Sequence, residues 1–280
     1  MQPVSFVSLR RTFTVFFAVS ALASTVFGDV IYESGTSVFV DEAIGQAVGI
    51  RNSSGGDPTT VTFGSNTALT GDNFDDDSLF TEGSSVAIIN GGSISNDISS
   101  YDQSRIEING GTFSDDIYVT DNGYVQMNGG TLAEDIVVWG PNASMEINGG
   151  NIGRDITVGF GNLVISGGTL VFGGSGNLID GILVGDGGVV DFVGTALFVD
   201  GMAVTGTVTQ LTGELSGTLA DGSTFSGFIF DRGPGGAVTE GTIRFTAVPE
   251  PSLAGLTVLL PFFVFRRRGQ QGSMAPDFCK

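Results

Sequence analysis

The sequence predicts an all-β protein: a parallel β-helix or a closely related β-solenoid, with about 19–20 residues per coil. An apolar residue followed by Asn/Ser-Gly-Gly recurs five times, beginning at Ile89, Ile108, Met127, Ile147 and Ile165. An aspartate recurs with the same period at Asp77, Asp97, Asp116, Asp135 and Asp155. Two markers that share one period near 20 residues are typical of a solenoid in which each repeat forms one coil.

The side-chain pattern inside each repeat favours strands over helices. Apolar and polar residues alternate, for example from Arg105 to Asn109, which is the period of a half-buried strand. Aligned repeats give four apolar columns: Ala87/Ile106/Val125/Met145/Leu163, Ile89/Ile108/Met127/Ile147/Ile165, Ile94/Phe113/Leu132/Ile152/Leu170 and Ile98/Ile117/Ile136/Ile156. Such columns predict one continuous core that no single repeat could bury alone. A leucine-rich solenoid has a similar period, but its Leu-x-x-Leu-x-Leu frame is absent.

The paired glycines are expected to form a corner of each coil. Glycine adopts positive φ without a Cβ penalty. The preceding Asn tolerates left-handed geometry as well and is expected to hydrogen-bond to neighbouring backbone.

The two ends of the chain differ in character from the repeats. Arg10 and Arg11 precede an apolar run over 13–23 and then small residues, the pattern of a secretory signal peptide. The predicted organisation is a signal peptide (1–28), an N-terminal cap with degenerate coils (29–85), regular solenoid repeats (86–170), a degenerate coil with a C-terminal β cap (171–246), a sorting signal with a hydrophobic segment (247–268), and a short tail (269–280).

Composition limits the function classes that the chain can belong to. The formal net charge is −19, so there is no basic surface to neutralise phosphates, and nucleic acid is excluded as a partner. Acidity of this kind is typical of solubility and self-repulsion in an extracellular setting. The single cysteine, Cys279, cannot form an intramolecular disulfide, so the core has to supply stability.

The acidic residues raise the question of Ca²⁺, which prefers oxygen ligands. The candidate ligands lie in an acidic loop and in the aspartate column: Asp75, Asp76, Asp77, Asp97, Asp116, Asp135 and Asp155. Their spacing matches neither an EF-hand loop nor a nine-residue calcium repeat. The alternative is that each aspartate is a turn residue that bonds to backbone N–H groups. Stacked like charges about 5 Å apart repel one another, and this keeps a Ca²⁺ role open.

Catalysis is not expected, although β-helices include polysaccharide lyases and hydrolases. A lyase needs a base to remove a proton, but the chain has no His, and its only lysine is Lys280. A glycosidase needs carboxylates at a fixed separation. Carboxylates are plentiful, but they recur with the repeat, as structural residues do. A carbohydrate-active β-helix enzyme remains the alternative. Tyr118, Tyr124 and Trp139 are candidates for stacking on sugar rings, unless they are ordinary surface aromatics.

The C-terminus carries a three-part motif. A box of Val248-Pro249-Glu250-Pro251 leads into the apolar segment 253–265, and Arg266, Arg267 and Arg268 follow. Prolines keep a processing site extended, and cations stop membrane transfer. The motif resembles the PEP-CTERM sorting signal, over about 20 residues. The apolar run is short for a membrane span, and residues 269–280 continue past the arginines, where such signals usually end. An ordinary C-terminal membrane anchor is the alternative.

The resemblance implies how the protein is handled by the cell. Proteins with this signal are exported by bacteria that make extracellular polysaccharide, and an integral-membrane exosortase is thought to recognise and cut the signal. Pro249, Glu250 and Pro251 would then be its recognition residues, and the hydrophobic segment would hold the chain in the inner membrane before processing. The sequence therefore predicts a cell-surface, outer-membrane or matrix protein, structural or adhesive within an exopolysaccharide layer, with no cofactor other than the candidate Ca²⁺.

Overall fold

A computed structural model describes residues 29–33, 35–52, 56–71, 76–171, 181–185, 187–209, 212–230 and 241–249. Within these ranges the protein is all-β, and no helix occurs. The predicted signal peptide, the tail 269–280 and the sorting signal beyond Pro249 lie outside the described residues. The prediction of an all-β, β-solenoid-like protein is confirmed.

The strands follow one another in a regular order. The first five coils contribute three strands each: β1 (Val30–Tyr32), β2 (Ser37–Val40), β3 (Ala43–Ile44), β4 (Val48–Asn52), β5 (Thr60–Phe63), β6 (Ala68–Leu69), β7 (Asp77–Gly83), β8 (Val86–Ile89), β9 (Ser93–Ile94), β10 (Asp97–Ser100), β11 (Arg105–Ile108), β12 (Thr112–Phe113), β13 (Ile117–Thr120), β14 (Tyr124–Met127) and β15 (Thr131–Leu132). The sixth and seventh coils are the long strands β16 (Ile136–Ile152) and β17 (Ile156–Leu170). The remaining strands are β18 (Gly181–Val184), β19 (Gly188–Val199), β20 (Met202–Ala203), β21 (Gly206–Thr209), β22 (Thr212–Leu219), β23 (Thr224–Phe230) and β24 (Thr242–Ala247).

The strands stack into three parallel ladders. The first ladder runs β1–β4–β7–β10–β13–β16–β17–β18. The second runs β2–β5–β8–β11–β14–β16–β17–β19. The third runs β3–β6–β9–β12–β15–β16–β17. Register follows the sequence period, because Ile98 pairs with Ile117 and Ile117 with Ile136.

The core lies between the three ladders and includes all of the predicted columns. Every residue of the four apolar columns is buried, with no more than 4% of its surface exposed. Burying one such isoleucine or leucine contributes roughly 2 kcal/mol, so the stacked columns supply a large part of the driving force for folding. Beyond the prediction, the columns continue into the first coils through Val48, Val61, Phe63 and Leu69.

Residues 29–71 form two coils of the same ladders, although their sequence shows no clear period. The reason is that the connections between strands vary in length here. Val30 pairs with Val48, but Val48 pairs with Leu79, so the step between equivalent residues is not constant. The apolar columns persist, because they depend on burial rather than on loop length.

The glycine corner is confirmed, and the role predicted for asparagine is wrong. The second glycine of each pair has positive φ, from +90° at Gly92 to +114° at Gly111. Among the described non-glycine residues, positive φ is confined to Asp76, Asp102, Asp121 and Asp200. The corner asparagines keep ordinary backbone geometry, because glycine already supplies the left-handed position. Their side chains hydrogen-bond to one another.

The last coils are joined to antiparallel strands. β22 pairs antiparallel with both β19 and β23, and β21 pairs antiparallel with β24. Phe192 of β19 stacks on Phe225 and Phe245 at ring-centroid distances of 5.4 and 5.9 Å. Asp221 accepts a hydrogen bond from the backbone N–H of Gly168 at 2.9 Å and so ties the β22–β23 turn to the seventh coil.

Candidate functional site

The repeated aspartates form a column along the start of the first ladder. From Asp97 to Asp155, each carboxylate accepts a hydrogen bond from the backbone N–H of the equivalent residue in the next coil. The N–H of Asp116 donates to Asp97 (3.1 Å), that of Asp135 to Asp116 (2.8 Å), that of Asp155 to Asp135 (3.1 Å), and that of Gly181 to Asp155 (2.7 Å). These bonds are the ones expected of a structural turn residue, and they join successive coils.

Asp97 is the most perturbed member of this column. The pKa of its carboxyl is raised to about 7, chiefly by burial and to a smaller extent by the neighbouring charges of Asp115, Asp116 and Asp77. The hydrogen bond from the Asp116 backbone opposes this shift by favouring the ionised form. Asp97 therefore changes its charge close to neutral pH, unlike an ordinary aspartate.

Two clusters of three acidic side chains have the close oxygen spacing that cation ligands require. One is Asp97, Asp115 and Asp116, and the other is Asp116, Glu134 and Asp135, with oxygens within 4.8 Å of one another in each. Hard cations such as Ca²⁺ bind to oxygen sets of this kind. Arg154 already forms ion pairs with Glu134 and Asp135, so the second group is partly neutralised by the protein itself.

The remaining candidate Ca²⁺ ligands do not extend these groups. Asp75 lies outside the described residues. Asp76 has a left-handed backbone, with φ of +69°. Asp77 is 2% exposed and accepts hydrogen bonds from the hydroxyls of Ser99 and Tyr101. Asp77 is therefore engaged with the protein interior.

The asparagines before the glycine pairs form a second polar column. The amide of Asn109 donates to Asn90 (3.1 Å), Asn128 to Asn109 (3.0 Å), and Asn148 to Asn128 (3.1 Å). The Ser166 hydroxyl continues the column by donating to Asn148 at 2.8 Å. Like the aspartates, these polar residues serve to hold one coil on the next.

The three candidate sugar-stacking aromatics do not share one surface. Tyr118 and Trp139 lie on the first ladder in successive coils, whereas Tyr124 begins a strand of the second ladder. The Tyr118 hydroxyl donates to Asp116 at 3.0 Å, and the Tyr124 ring lies under the Arg105 guanidinium at 4.8 Å. Burial, followed by the interactions with Asp116, raises the pKa of Tyr118. Both tyrosines are therefore engaged by neighbours, and Trp139 is the most exposed of the three.

Sequence reasoning missed the aromatic neighbour of Trp139. Phe160 occupies the equivalent position in the next coil and packs edge-to-face against the indole, with ring centroids 5.4 Å apart. Trp139 is 48% exposed and Phe160 39%. A signal was present, because both residues stand next to a glycine where the first ladder turns into the second.

Comparison with protein-family models, with curated proteins and with solved structures finds no match to this chain. Within the described ranges, no helix has the length and apolar character needed to cross a membrane.

Proposed function

We propose that the protein is an exported bacterial parallel β-helix that acts as a structural or adhesive component of an extracellular polysaccharide layer. The observation that carries the proposal is the use of the repeated polar side chains. The aspartate and asparagine columns are occupied in joining coils, so the most regular part of the chain serves architecture. Successive coils are joined by the same hydrogen bonds, and such repeated bonding suits a rigid structural element on a cell surface.

Export and sorting rest on the two ends of the sequence. The N-terminal pattern supports secretion, and the Pro249-Glu250-Pro251 box, the apolar segment 253–265 and the arginines 266–268 support processing by an exosortase-type enzyme. The order of these parts places the arginines on the cytoplasmic side and the folded β region outside. The mature protein would be released from the inner membrane and reach the cell surface or matrix.

Replacing Pro249, Glu250 and Pro251 together with alanine in a polysaccharide-producing host tests the sorting step. We expect the altered protein to stay in the inner-membrane fraction at a higher apparent mass, because the recognition box is lost and the apolar segment is retained. Pro141→Ala, at an exposed position of β16, is the matched control and should be processed normally. Equal processing of all three proteins, or retention of the unaltered protein in the cytoplasm, would contradict the proposal.

A carbohydrate-active β-helix enzyme is the second candidate, and Asp97 is the observation that favours it. A carboxyl with a pKa of about 7 next to a second carboxylate is the arrangement used for general acid–base catalysis. Against this, the Asp97 carboxylate already accepts the backbone N–H of Asp116. A surface cleft does occur where the regular repeats end, between Leu170 and Phe225, but none of its lining side chains is titratable.

A further inference from the structure

The turn from the first to the second ladder carries a cluster of exposed residues in the fifth, sixth and seventh coils. We call it the corner patch, and it consists of Asp121, Asn122, Trp139, Asn142, Phe160 and Asn162. Register brings them together, because Trp139 pairs with Thr120 on one side and with Phe160 on the other. Asn162 pairs with Ser144, two residues after Asn142. Adjacent coils are about 4.8 Å apart, so the patch spans three neighbouring coils.

The Trp139 indole is fixed in place at this corner while about half of its surface remains in contact with solvent. A Cβ at Gly159 would lie 2.1 Å from Cε3 of the indole, so the ring rests directly on the backbone of the next coil. The Phe160 ring packs against the indole with the two ring planes nearly perpendicular, at 88°. A rigid aromatic surface loses little conformational entropy when it binds a ligand, and this favours recognition.

Polar groups able to bond hydroxyls stand beside the aromatic pair. The Asn142 amide donates to the Asn122 carbonyl at 2.8 Å, and this bond fixes both exposed side chains. An amide has two N–H donors and an oxygen with two lone pairs, so one bond leaves further capacity on each residue. The patch therefore combines a flat apolar surface with donors and acceptors at its edge.

Charge argues against an anionic ligand. The patch contains no Lys or Arg, it includes the Asp121 carboxylate, and the chain as a whole carries a formal charge of −19. An anionic polymer would be repelled. An uncharged sugar has what the patch can recognise, because the C–H groups on one face of a pyranose pack on the negative face of an aromatic ring and its hydroxyls bond to amides.

We propose that the corner patch is a binding site for a neutral glycan. One pyranose ring stacks on the Trp139 indole, and the hydroxyls of that sugar and its neighbour bond to Asn122 and Asn142. The site rests on the proposed function and deepens it, since it names the surface by which the β-helix would hold polysaccharide. It also replaces the expectation that Tyr118, Tyr124 and Trp139 act together.

Trp139 is the only tryptophan in the chain, so intrinsic fluorescence reports directly on the site. The exported protein is titrated with cellohexaose, mannohexaose and dextran oligosaccharides, with alginate and chitosan oligosaccharides as charged counterparts. We expect a saturable change in emission with at least one neutral sugar, unaltered by high salt, because no ion pair contributes. No change with any neutral sugar, or a response to alginate or chitosan alone, would overturn the proposal.

Matched variants distinguish binding at the corner patch from nonspecific adsorption to any exposed aromatic side chain. Phe160→Ala should weaken the binding of the responding sugar about tenfold, whereas Phe39→Ala should change it less than about twofold. Phe39 is a suitable control because it is 59% exposed on β2, in the first coil. Gly159→Ala keeps every side chain of the site but places a methyl group against the indole, and it should also weaken binding. Equal effects of Phe160→Ala and Phe39→Ala would contradict the proposal.

Failure of this site and failure of the proposed function give different results. Trp139→Ala is compared with the unaltered protein for co-sedimentation with insoluble cellulose and mannan. Retention of both proteins to the same extent would overturn the corner patch and leave the matrix role standing. A fluorescence response without any retention by the insoluble polysaccharides would sustain the site and contradict the matrix role.

Discussion

At the scale of the residue, the aspartate column both stabilises and destabilises the fold. Its hydrogen bonds join successive coils, but its carboxylates repel one another. From Asp97 to Asp155, each carboxylate satisfies a backbone N–H of the next coil, and an unpaired buried group costs about 1–3 kcal/mol. Stacking the carboxylates also brings like charges together, and these charges add to burial, the larger cause, in raising the pKa of Asp97. The sequence predicted the column and its bonds to backbone N–H groups. It could not predict which member is most perturbed, because burial at Asp97 depends on the neighbouring coils.

Asp97→Asn is expected to raise stability at neutral and alkaline pH. Because the folded pKa is above that of the unfolded chain, the folded state loses stability as pH rises from about 4 to about 7. The amide can still accept the Asp116 N–H but carries no charge. We expect a gain of about 1 kcal/mol in the free energy of unfolding at pH 8, since solvent screens this partly exposed group, and no gain near pH 4. Urea denaturation across this pH range measures it.

Asp221→Asn is the companion variant, and we expect it to change the free energy of unfolding at pH 8 in the opposite direction. Burial opposes ionisation of Asp221, but hydrogen bonds from Ser223 and Gly168 outweigh it and lower the pKa of this carboxyl. Its contribution is therefore present at neutral pH and lost as pH falls through the folded pKa. We expect Asp221→Asn to be less stable than the unaltered protein at pH 8. A gain of stability there, or a loss with Asp97→Asn, would contradict the assignment of these shifts.

At the scale of the element, each coil is defined by its glycine corner as much as by its apolar columns. The second glycine has positive φ, and at Gly130 a Cβ would also approach the Phe113 ring at 2.9 Å. The sequence predicted the corner because the Gly-Gly pair recurs. It did not predict that the asparagines bond to one another, since their partners are a whole coil away along the chain. It also missed Phe160, whose pairing with Trp139 depends on a register shift in β16 and β17.

Gly130→Ala is expected to destabilise the protein by about 2–4 kcal/mol, from left-handed strain and from crowding against Phe113. Gly222→Ala separates the two causes. Gly222 has a similar φ of +91°, but a Cβ there would have no neighbour within 4 Å. We expect it to cost about 1–2 kcal/mol, from strain alone. Thermal and urea unfolding of both variants provide the comparison. Equal losses would mean that corner packing contributes nothing.

At the scale of the whole molecule, the all-β solenoid-like architecture was predictable because one period governs both the apolar columns and the polar corners. The two least regular regions were not predictable in detail. In residues 29–71 the loops between strands differ in length, so the coils leave no regular period in the sequence. The strands from residue 181 onward combine parallel with antiparallel pairing, and no repeated residue in the sequence indicates this change. The candidate site was predicted only in part. The sequence identified Trp139 as a candidate for sugar stacking, but it did not identify the residues that surround Trp139 in the corner patch.

The measurement that tests the central claim most directly combines retention and chemistry in one assay. The purified protein is incubated with bacterial and algal polysaccharides, with and without Ca²⁺, and both co-sedimentation and new reducing or unsaturated chain ends are recorded. We predict retention on at least one polysaccharide without new ends, because the repeated carboxylates are engaged in joining coils. Dependence of retention on Ca²⁺ would give the acidic column a second role. New ends that accumulate with enzyme turnover, or no retention on any polysaccharide, would contradict the account.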